Sequence, residues 1–258
     1  MNNYYKDRDN TLRAYFDNVA TEYDQYRLEY PNELFRDIFN YAGNINSALE
    51  IGIGTGKATA PFLKEGISVI AIEPNSKMAE IANKKNNSLG TLEIFNGKFE
   101  DFSPNDRFDL VYAASSFQWL SSDNRIEMIA NCLRDNGVFA KFKTITIINP
   151  NDSIGGKILY QAYKEILPDY LPKDRSKKKK SDKEFIDAGF TNIIRKDYYQ
   201  KYFFDINKYI AFMNTYTEYI TLDINVRRLF ENYIAWMIKN REILVTQKCT
   251  LDLATLRK

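Results

Sequence analysis

Short apolar runs alternate with longer stretches of helical periodicity from Ala48 to about Ile147. This alternation is typical of repeated strand and helix units, in which the strands form a mainly parallel sheet. The apolar runs predict strands at Ala48–Ile51, Ser68–Glu73, Leu92–Phe95, Phe108–Ala113 and Val138–Ile148. Apolar spacing and polar starting residues predict helices at Lys57–Lys64, Ser76–Asn83 and Asp123–Arg134. We therefore expect the core of an α/β domain here.

The sequence before this core has a different pattern. Leu12–Ala20 and Asn32–Tyr41 have the spacing of amphipathic helices, and the aromatic and charged stretch Tyr23–Pro31 lies between them. We expect this part of the chain to form a lid and not to add a strand to the sheet.

The sequence after the core combines further helices with two strands. The segments Asn149–Gly156 and Pro168–Lys183 are predicted to be loops, and we expect part of the second to be mobile. The remaining predicted elements are helices at Lys157–Leu167, Ile206–Phe212 and Asn225–Lys239, a short helix from Glu184 that ends at Gly189, and strands near Asn192–Tyr199 and Ile243–Leu253. We expect a single domain, 1–258, with a helical lid (1–46), a ligand-binding core (47–148), and cap helices with the last two strands (149–258).

The composition excludes several classes of protein. A chain of 258 residues with 44% hydrophobic residues can bury a full core, and its formal charge of +2 lacks the strongly positive character of a dedicated nucleic-acid binder. The run Lys177–Lys180 is interpreted as a solvated loop, because Asp174 and Asp182 flank it. Apolar runs such as Val69–Ile72 are too short to cross a membrane, and we expect a cytoplasmic protein.

The chain contains no histidine, which excludes the commonest general base, the usual zinc ligand and imidazole-based catalytic triads. Its two cysteines, Cys132 and Cys249, lack metal-type spacing and are interpreted as buried thiols. We predict no metal site.

A glycine-rich segment, LEIGIGTGKAT, follows the start of the first predicted strand and leads into a helix. Glycine is needed there because the backbone must approach a ligand closely and adopt dihedral angles that other residues avoid. A dinucleotide-binding turn would need a glycine at Lys57. A P-loop would need a glycine at Ile51 and a hydroxyl at Ala58. Both phosphate-binding alternatives are therefore disfavoured.

Two carboxylates accompany the glycines. Glu50 lies two residues before Gly52, where it would repel a pyrophosphate but suit a ligand that carries an ammonium group. Glu73 ends the second predicted strand, about twenty residues beyond the glycines, where a carboxylate can accept hydrogen bonds from both ribose hydroxyls. The alternative for Glu73 is a helix cap ahead of Pro74. S-adenosylmethionine carries an ammonium, a sulfonium and a ribose, and it fits this pattern.

Further motifs follow in order along nearly the whole chain. They are FDNVATEYDQYRLEYP (Phe16–Pro31), ALEIGIGTGKAT, VIAIEPN (Val69–Asn75), GKFEDF (Gly97–Phe102), FDLVYAASSFQWL (Phe108–Leu120), LRDNGVFAKF (Leu133–Phe142), AGF (Ala188–Phe190) and TYTEY (Thr215–Tyr219). With these motifs in this order, the chain resembles class I S-adenosylmethionine-dependent methyltransferases. Within them it is similar to a bacterial small-molecule group that includes the trans-aconitate methyltransferase-like proteins.

The resemblance implies binding roles for residues of the glycine segment and the second strand. Glu50 and the backbone of Gly52, Gly54 and Gly56 would face the methionine end of S-adenosylmethionine. Glu73 would bind its ribose.

Two positions depart from the pattern of these relatives. The turn that contains Lys98, Phe99 and Glu100 would lie along the adenine. Many relatives have aspartate in place of Lys98, so the contact with the exocyclic amine falls to Glu100 or is unfilled.

The second departure lies after the fourth strand, where many relatives have histidine and this chain has Gln118, next to Trp119. We expect activity to survive, because methyl transfer to an ionised nucleophile depends mainly on alignment. Gln118 would position a substrate or the cofactor, or else it is a plain amide near the strand end.

The lid contributes aromatic rings and an arginine. The faces of such rings attract a sulfonium, although a single ring more often serves packing, and the candidates are Tyr23, Tyr26 and Tyr30, with Trp119. Arg27 would pair with the carboxylate of the ligand in a forked geometry. The alternative for Arg27 is a surface ion pair with Glu22 or Glu29.

The resemblance implies a Rossmann-like methyltransferase fold, with a seven-stranded mixed sheet whose last strand is antiparallel to the other six. The expected reaction is in-line displacement at the methyl carbon by a small-molecule acceptor, for which a carboxylic acid is one candidate. We expect a monomer or homodimer without nucleic-acid or membrane partners. The alternatives are an RNA or protein methyltransferase that uses Lys177–Lys180, and a non-catalytic binder of the same cofactor. A nicotinamide dehydrogenase is disfavoured by Lys57.

Overall fold

Seven strands form one sheet in the computed structural model, which describes residues 19–120, 123–171 and 182–257. Their order across the sheet is β3-β2-β1-β4-β5-β7-β6. The strands are β1 Ser47–Ile51, β2 Ser68–Ile72, β3 Leu92–Phe95, β4 Phe108–Ala114, β5 Leu133–Ile147, β6 Phe190–Phe204 and β7 Ile243–Leu256. The order reverses between β1 and β4, and in open α/β sheets the crevice for a ligand forms at the carboxyl ends of the strands at such a reversal.

The directions of the strands agree with the predicted fold class. β1 pairs in parallel with β2 and β4, and the neighbouring pairs β2–β3 and β4–β5 are also parallel. β7 lies between β5 and β6 and is antiparallel to both, so six strands share one direction. The predicted seven-stranded mixed sheet with an antiparallel last strand is confirmed.

Helices pack on both faces of the sheet. They are α1 Asn32–Ala42, α2 Ala60–Lys64, α3 Ser76–Asn86, α4 Arg125–Cys132, α5 Ile154–Ile166, α6 Lys183–Asp187, α7 Ile206–Met213, α8 Thr217–Ile220 and α9 Ile224–Ile238. One face of the sheet is buried by apolar residues of α1, α2 and α3, and the other by those of α4 and α6. Among the described residues, no helix combines the length and the apolar character that crossing a membrane would require.

A third apolar cluster joins the remaining helices to the far ends of the long strands. It contains buried residues of α5, α7, α8 and α9 together with Phe204 of β6 and Val245 of β7. We call these four helices the cap. β5 continues beyond β4, because Ala114 at the end of β4 pairs with Phe142 while β5 runs to Ile147. The cap therefore packs on a part of the sheet that extends past the end of β4.

The structure corrects some predicted boundaries. Residues 19–26 are helical, so Tyr23 lies in a helix and not in a stretch between two helices. This helix ends at Tyr26, and the segment from there to Pro31 is not helical. α5 begins inside the predicted loop Asn149–Gly156, because the Ser153 side chain accepts a hydrogen bond from the backbone N–H of Gly156 (2.9 Å) and caps the helix.

Other differences concern the ends of elements. β6 extends five residues beyond the predicted end at Tyr199, because its full length pairs with β7. The helix α8 was not predicted, because its four residues are too few to show a helical period of apolar positions. Most of the predicted helix Leu12–Ala20 and all of Lys177–Lys180 lie outside the described residues.

Candidate functional site

The turn Gly52–Gly56 leaves β1 where the strand order reverses. Gly52, Gly54 and Gly56 have φ angles of 74°, 57° and 78°, a region that glycine adopts without the steric cost of a side chain. The backbone N–H groups of Gly52 and Ile53 both donate to the carbonyl oxygen of Ile72 in β2, at 2.9 and 3.0 Å. The turn is thus attached to the end of the neighbouring strand.

The three glycines of this turn have different surroundings. A Cβ atom on Gly52 would lie 2.6 Å from the Cβ atom of Ser116, and one on Gly56 would collide with the side-chain amide of Asn86. A Cβ atom on Gly54 would meet no heavy atom within 4 Å among the described residues. Packing within the protein therefore requires Gly52 and Gly56, whereas Gly54 faces open space that can admit a ligand.

Glu50 is completely buried beside the turn. Its Oε2 accepts hydrogen bonds from the hydroxyls of Thr59 (2.7 Å) and Tyr112 (2.8 Å). Its Oε1, like the hydroxyl of Thr55, is buried and has no hydrogen-bond partner in the part of the chain that the structure describes. Burial raises the pKa of Glu50 to about 8, although the two hydroxyl donors oppose this shift. An ammonium group beside Oε1 would supply the missing donor and favour the ionised carboxylate.

Glu73 connects the end of β2 to the glycine turn. Its Oε2 accepts a hydrogen bond from the backbone N–H of Gly54 (2.8 Å), and its Oε1 accepts one from that of Asn75 (2.9 Å). The N-cap of α3 is Asn75, whose side chain accepts from the N–H of Met78. The alternative interpretation of Glu73 as the helix cap is therefore wrong. Its carboxylate instead lies next to the one glycine of the turn that faces open space.

The turn predicted to lie along the adenine is next to Glu73. The backbone N–H of Gly97 and the side-chain amide of Asn96 both donate to the carbonyl oxygen of Glu73, at 3.2 and 2.9 Å. Phe99 begins a short 3-10 helix, and its side chain is buried in the apolar core. Phe99 can therefore offer only backbone atoms to a ligand, whereas the half-buried Glu100 can offer its carboxylate.

The residues predicted to be catalytic lie in a 3-10 helix, Phe117–Trp119, just after β4. The side-chain amide of Gln118 is exposed and donates to the backbone carbonyl of Ser115 (2.6 Å). The side chain of Trp119 is 52% exposed. The hydrogen bond thus holds the Gln118 side chain next to Ser116, the residue that packs against Gly52. Trp119 projects towards solvent.

Residues 19–31 of the predicted lid make side-chain contacts with the glycine turn and with α3. Lys57, which follows the turn, pairs with Glu29 of the lid at 2.5 Å. Farther along the sheet, Lys85 of α3 pairs with Asp24 at the same distance. The lid residues Tyr23 and Tyr30 are half-buried. This part of the lid is therefore attached to the end of the glycine turn and to α3.

Arg27 extends from the predicted lid to the segment that joins the cap helices α7 and α8. Its guanidinium donates to the backbone carbonyl of Thr215 (2.9 Å) and lies 3.6 Å from the ring centroid of Tyr216 and 5.1 Å from that of Tyr23. The alternative of a surface ion pair with Glu22 or Glu29 is wrong, because neither residue pairs with Arg27 in the described part of the chain, and Glu29 pairs with Lys57 instead. The structure thus brings Arg27 to the TYTEY motif and not to a surface carboxylate.

Several residues of the site were not identified from the sequence. Thr59 and Tyr112 bind Glu50, and Ser116 donates its hydroxyl to the backbone carbonyl of Ile51, next to the turn. Thr59 is the last residue of the motif ALEIGIGTGKAT, so the sequence could have indicated that it belongs to the site. Tyr112 lies 62 residues from Glu50, and only the pairing of β1 with β4 brings them together.

No group of three or more histidine, cysteine, aspartate or glutamate side chains in the described residues is arranged to hold a metal ion. The polar groups around the glycine turn are carboxylates, hydroxyls and backbone N–H groups. Such a set suits an organic ligand that carries an ammonium group and hydroxyls.

Residues 48–137 match a family described as a methyltransferase domain. Over 130 residues the chain is 32% identical to "Probable S-adenosylmethionine-dependent methyltransferase CRG1" of Saccharomyces cerevisiae, a match that covers 47% of this chain and 44% of the yeast protein. It is 26% identical to a protein of Dictyostelium discoideum named as a candidate methyltransferase, over 79% of this chain and 77% of that protein. The chain spans about half the length of the other curated relatives it matches.

The fold is shared with solved structures of low sequence identity. A structure from Anaeromyxobacter dehalogenans, described as a candidate type II methyltransferase, superposes with a TM-score of 0.63 at 17% identity, over 90% of this chain and all of that one. The matched domain contains the glycine turn, Glu50 and Glu73. The family match and the named relatives make residues 48–137 similar to methyltransferase domains, and the superposition shows that the fold is shared.

Proposed function

We propose that this chain binds S-adenosylmethionine at the glycine turn and transfers its methyl group to a small-molecule acceptor, with a carboxylic acid as the leading class. One observation supports the proposal most directly. Gly54 faces open space and donates its backbone N–H to the carboxylate of Glu73, and Glu50, two residues before the turn begins, has a buried and unpartnered oxygen among the described residues. These groups match the ammonium and the ribose hydroxyls of the donor.

Each residue of the proposed donor site has a separate role. The carboxylate of Glu50 pairs with the ammonium group, and the backbone of Gly52, Gly54 and Gly56 allows close approach. Glu73 accepts hydrogen bonds from the ribose. The backbone of Phe99 and the carboxylate of Glu100 contact the adenine, and Tyr23 contributes a ring face towards the sulfonium. These roles are supported by the hydrogen bonds that join Glu73 to Gly54 and to the turn of Asn96 and Gly97.

The bound donor supplies an electrophilic methyl carbon, which forms a bond with an acceptor lone pair while the carbon–sulfur electron pair moves to sulfur and S-adenosylhomocysteine is left. An ionised carboxylate needs no general base for this reaction, in agreement with a chain that contains no histidine. Gln118 and Trp119 are proposed to align the acceptor, and the lid is proposed to exclude water.

We also propose that the chain belongs to the bacterial small-molecule group similar to the trans-aconitate methyltransferase-like proteins and acts in the cytoplasm. The motifs from Phe16 to Tyr219 support the first point. Cys132 and Cys249 are buried free thiols, in agreement with a reducing compartment. For an RNA-methylating alternative, the candidate contact Lys177–Lys180 lies outside the described residues.

A matched pair of glycine variants tests the donor site. Gly54 and Gly66 both have positive φ, and a Cβ atom on either would meet nothing within 4 Å among the described residues. Gly54→Ala and Gly66→Ala therefore impose a similar backbone strain, of about 1–2 kcal/mol. Calorimetric titration with S-adenosylhomocysteine should show binding by the wild type and by Gly66→Ala, and binding weakened about tenfold or more in Gly54→Ala.

Two results would contradict the proposal. Absence of any heat with S-adenosylhomocysteine or S-adenosylmethionine would exclude the donor site, and equal affinities for the two glycine variants would exclude this turn as its location. Binding without formation of S-adenosylhomocysteine from S-adenosylmethionine across a broad panel of acids and amines would favour the non-catalytic binder instead.

A further inference from the structure

A second group of polar side chains lies on the part of the sheet that extends past β4. Thr146 of β5 is four residues beyond Phe142, the residue that pairs with the end of β4. Thr146 pairs with Gln247 of β7 in antiparallel register. Side chains of residues directly opposite in such a pair point to the same face of the sheet and lie about 5 Å apart.

The cap and the lid cover this group from above. The hydroxyl of Tyr216 is 2.9 Å from that of Thr146. The guanidinium of Arg27 lies 3.6 Å from the ring centroid of Tyr216, whose ring also packs edge-on against Phe212 at 5.2 Å. Arg27, Tyr216, Thr146 and Gln247 therefore form one continuous cluster, which we call the cap-side polar cluster.

Two atoms of the cap-side polar cluster are buried without a hydrogen-bond partner among the described residues. They are Nε of Arg27, which is a donor, and Oε1 of Gln247, which is an acceptor. The Gln247 residue is only 4% exposed. Buried polar groups in native proteins are almost always paired, because leaving one unpaired costs its full desolvation energy. A donor and an acceptor left open in one cluster indicate a ligand that offers the complementary groups.

The cap-side polar cluster is connected to the glycine turn. Tyr30 follows Arg27 by three residues, and its hydroxyl donates to that of Ser115 at 3.0 Å. The next residue, Ser116, donates to the backbone carbonyl of Ile51 at the start of the turn. A molecule bound at the cluster would therefore lie beside the donor site, with Tyr30 at the boundary.

We propose that Arg27 and Gln247 bind the methyl acceptor, and that the acceptor is a small carboxylate with a neighbouring hydroxyl group. The Nε–H of Arg27 donates to the carboxylate, and Oε1 of Gln247 accepts the hydroxyl proton. This inference rests on the proposed methyl-transfer function. It also changes the proposed partner of Arg27. The sequence predicted that Arg27 binds the carboxylate of the donor, whereas here it binds the acceptor. The reason is that its contacts with Thr215 and Tyr216 lie on the cap side of the crevice.

Three related compounds probe the two contacts separately. Malate has the carboxylates and the hydroxyl, succinate lacks the hydroxyl, and dimethyl malate lacks the charge. Each is titrated by calorimetry into the full-length protein saturated with S-adenosylhomocysteine, so that the donor site is filled. For the wild type, malate should bind about tenfold more tightly than succinate, and dimethyl malate should not bind.

Two variants assign these contacts to residues. Gln247→Leu removes the acceptor oxygen and should reduce the affinity for malate to that for succinate, with succinate unchanged. Arg27→Lys keeps the charge but loses Nε, and it should weaken both acids about 10- to 100-fold while the affinity for S-adenosylhomocysteine stays the same. Gln161→Leu, a matched change at an exposed position of α5, should change neither the affinity for malate nor that for succinate.

The melting temperature separates binding from a structural role. Leucine in place of an unpaired buried amide should leave the melting temperature of Gln247→Leu unchanged or raise it, whereas a structural amide would lower it. The proposal is overturned if malate does not bind up to about 10 mM, if Gln247→Leu weakens malate and succinate equally, or if Arg27→Lys weakens S-adenosylhomocysteine instead. Failure of the wild type to bind S-adenosylhomocysteine would refute the proposed function itself, which the malate titrations alone cannot do.

Discussion

The glycine-turn region and the cap form their polar contacts in different ways. Beside the turn, Glu73 accepts hydrogen bonds from the nearby backbone N–H groups of Gly54 and Asn75. In the cap, contacts join side chains of separate helices, such as the hydroxyls of Tyr163 in α5 and Tyr209 in α7, at 3.0 Å. The first kind depends on local backbone conformation, and the second on how whole elements pack.

This difference explains why the donor is easier to identify than the acceptor. Positive φ angles and close packing demand glycine at defined positions, so the turn leaves a recognisable motif. A tyrosine pair between two helices can be replaced by other side chains without loss of the fold, so it leaves none. The domain motifs therefore point to the proposed donor, S-adenosylmethionine, whereas the acceptor has to be inferred from the cap.

The largest expected effect separates the two regions at Glu50. In Glu50→Gln, the amide oxygen can still accept from Thr59 and Tyr112, but an amide NH₂ replaces the unpartnered oxygen and cannot bind an ammonium group. We expect the affinity for S-adenosylhomocysteine to fall about 100-fold. Calorimetry measures this, and malate affinity in the presence of excess donor product serves as the control for the cap. Unchanged donor affinity would remove Glu50 from the site.

The pH dependence of stability gives an independent test of the same carboxyl group. The pKa of Glu50 is raised by burial from 4.5 to about 8, so the folded protein holds a proton that the unfolded chain releases between these values. The contribution of this group is complete below pH 4.5 and is lost as the pH rises towards 8. We expect urea unfolding to show a loss on the order of a few kcal/mol between pH 5 and pH 8 that is absent in Glu50→Gln. Parallel curves for the two proteins would contradict this.

An intermediate effect is expected from a matched pair of tyrosine variants. Tyr112→Phe removes one of the two hydroxyls that stabilise the Glu50 carboxylate, so donor affinity at pH 7 should fall about tenfold. Tyr163→Phe breaks the hydroxyl contact with Tyr209 and should lower the free energy of unfolding by about 1 kcal/mol without changing donor affinity. Calorimetry and urea unfolding of both variants check this, and a reversed assignment of the effects would show that the two regions are not separate.

The smallest effect is expected at the lid. Glu29 is largely exposed in its ion pair with Lys57, so Glu29→Gln should change the free energy of unfolding by less than about 1 kcal/mol. This loss of unfolding free energy should be smaller still at high salt, because exposed ion pairs are screened. Thermal unfolding at two salt concentrations measures both quantities. A loss above about 2 kcal/mol, or one that is independent of salt, would show that this contact does more than hold the lid.

Much of the fold was predictable from local patterns. The strands β1 to β5 and the helices between them were recognised from apolar runs and helical spacing, and β3 from Leu92 to Phe95 was predicted with its observed bounds. The predicted start of β5 was wrong, because the strand begins at Leu133 and not at Val138, and the helix before it ends at Cys132. The long pairing of β6 with β7 was underestimated, because β6 alternates exposed and half-buried residues over most of its length and lacks a continuous apolar signal. Its length is set by β7, not by its own sequence.

The candidate site was predictable in part for the same reason. The glycines, Glu50 and Glu73 belong to short motifs at strand ends, and the structure brings them together. The side chain of Phe99 was not expected to be a core residue, and the contact of Arg27 with Thr215 joins residues 188 positions apart. No spacing rule relates such distant positions.

The sequence by itself determined the order of strands and helices, the position of the sharp turn and the carboxylates beside it. Each of these follows from the period of apolar residues or from the dihedral angles that glycine alone adopts easily. Only the tertiary structure decided which of those groups are paired. The pairing of β4 with β1 places Tyr112 on Glu50, and the pairing of β7 with β5 places Gln247 beside Thr146. A hydrogen bond left unmade in a buried site depends on every element that surrounds it, and no single segment of the chain contains that information.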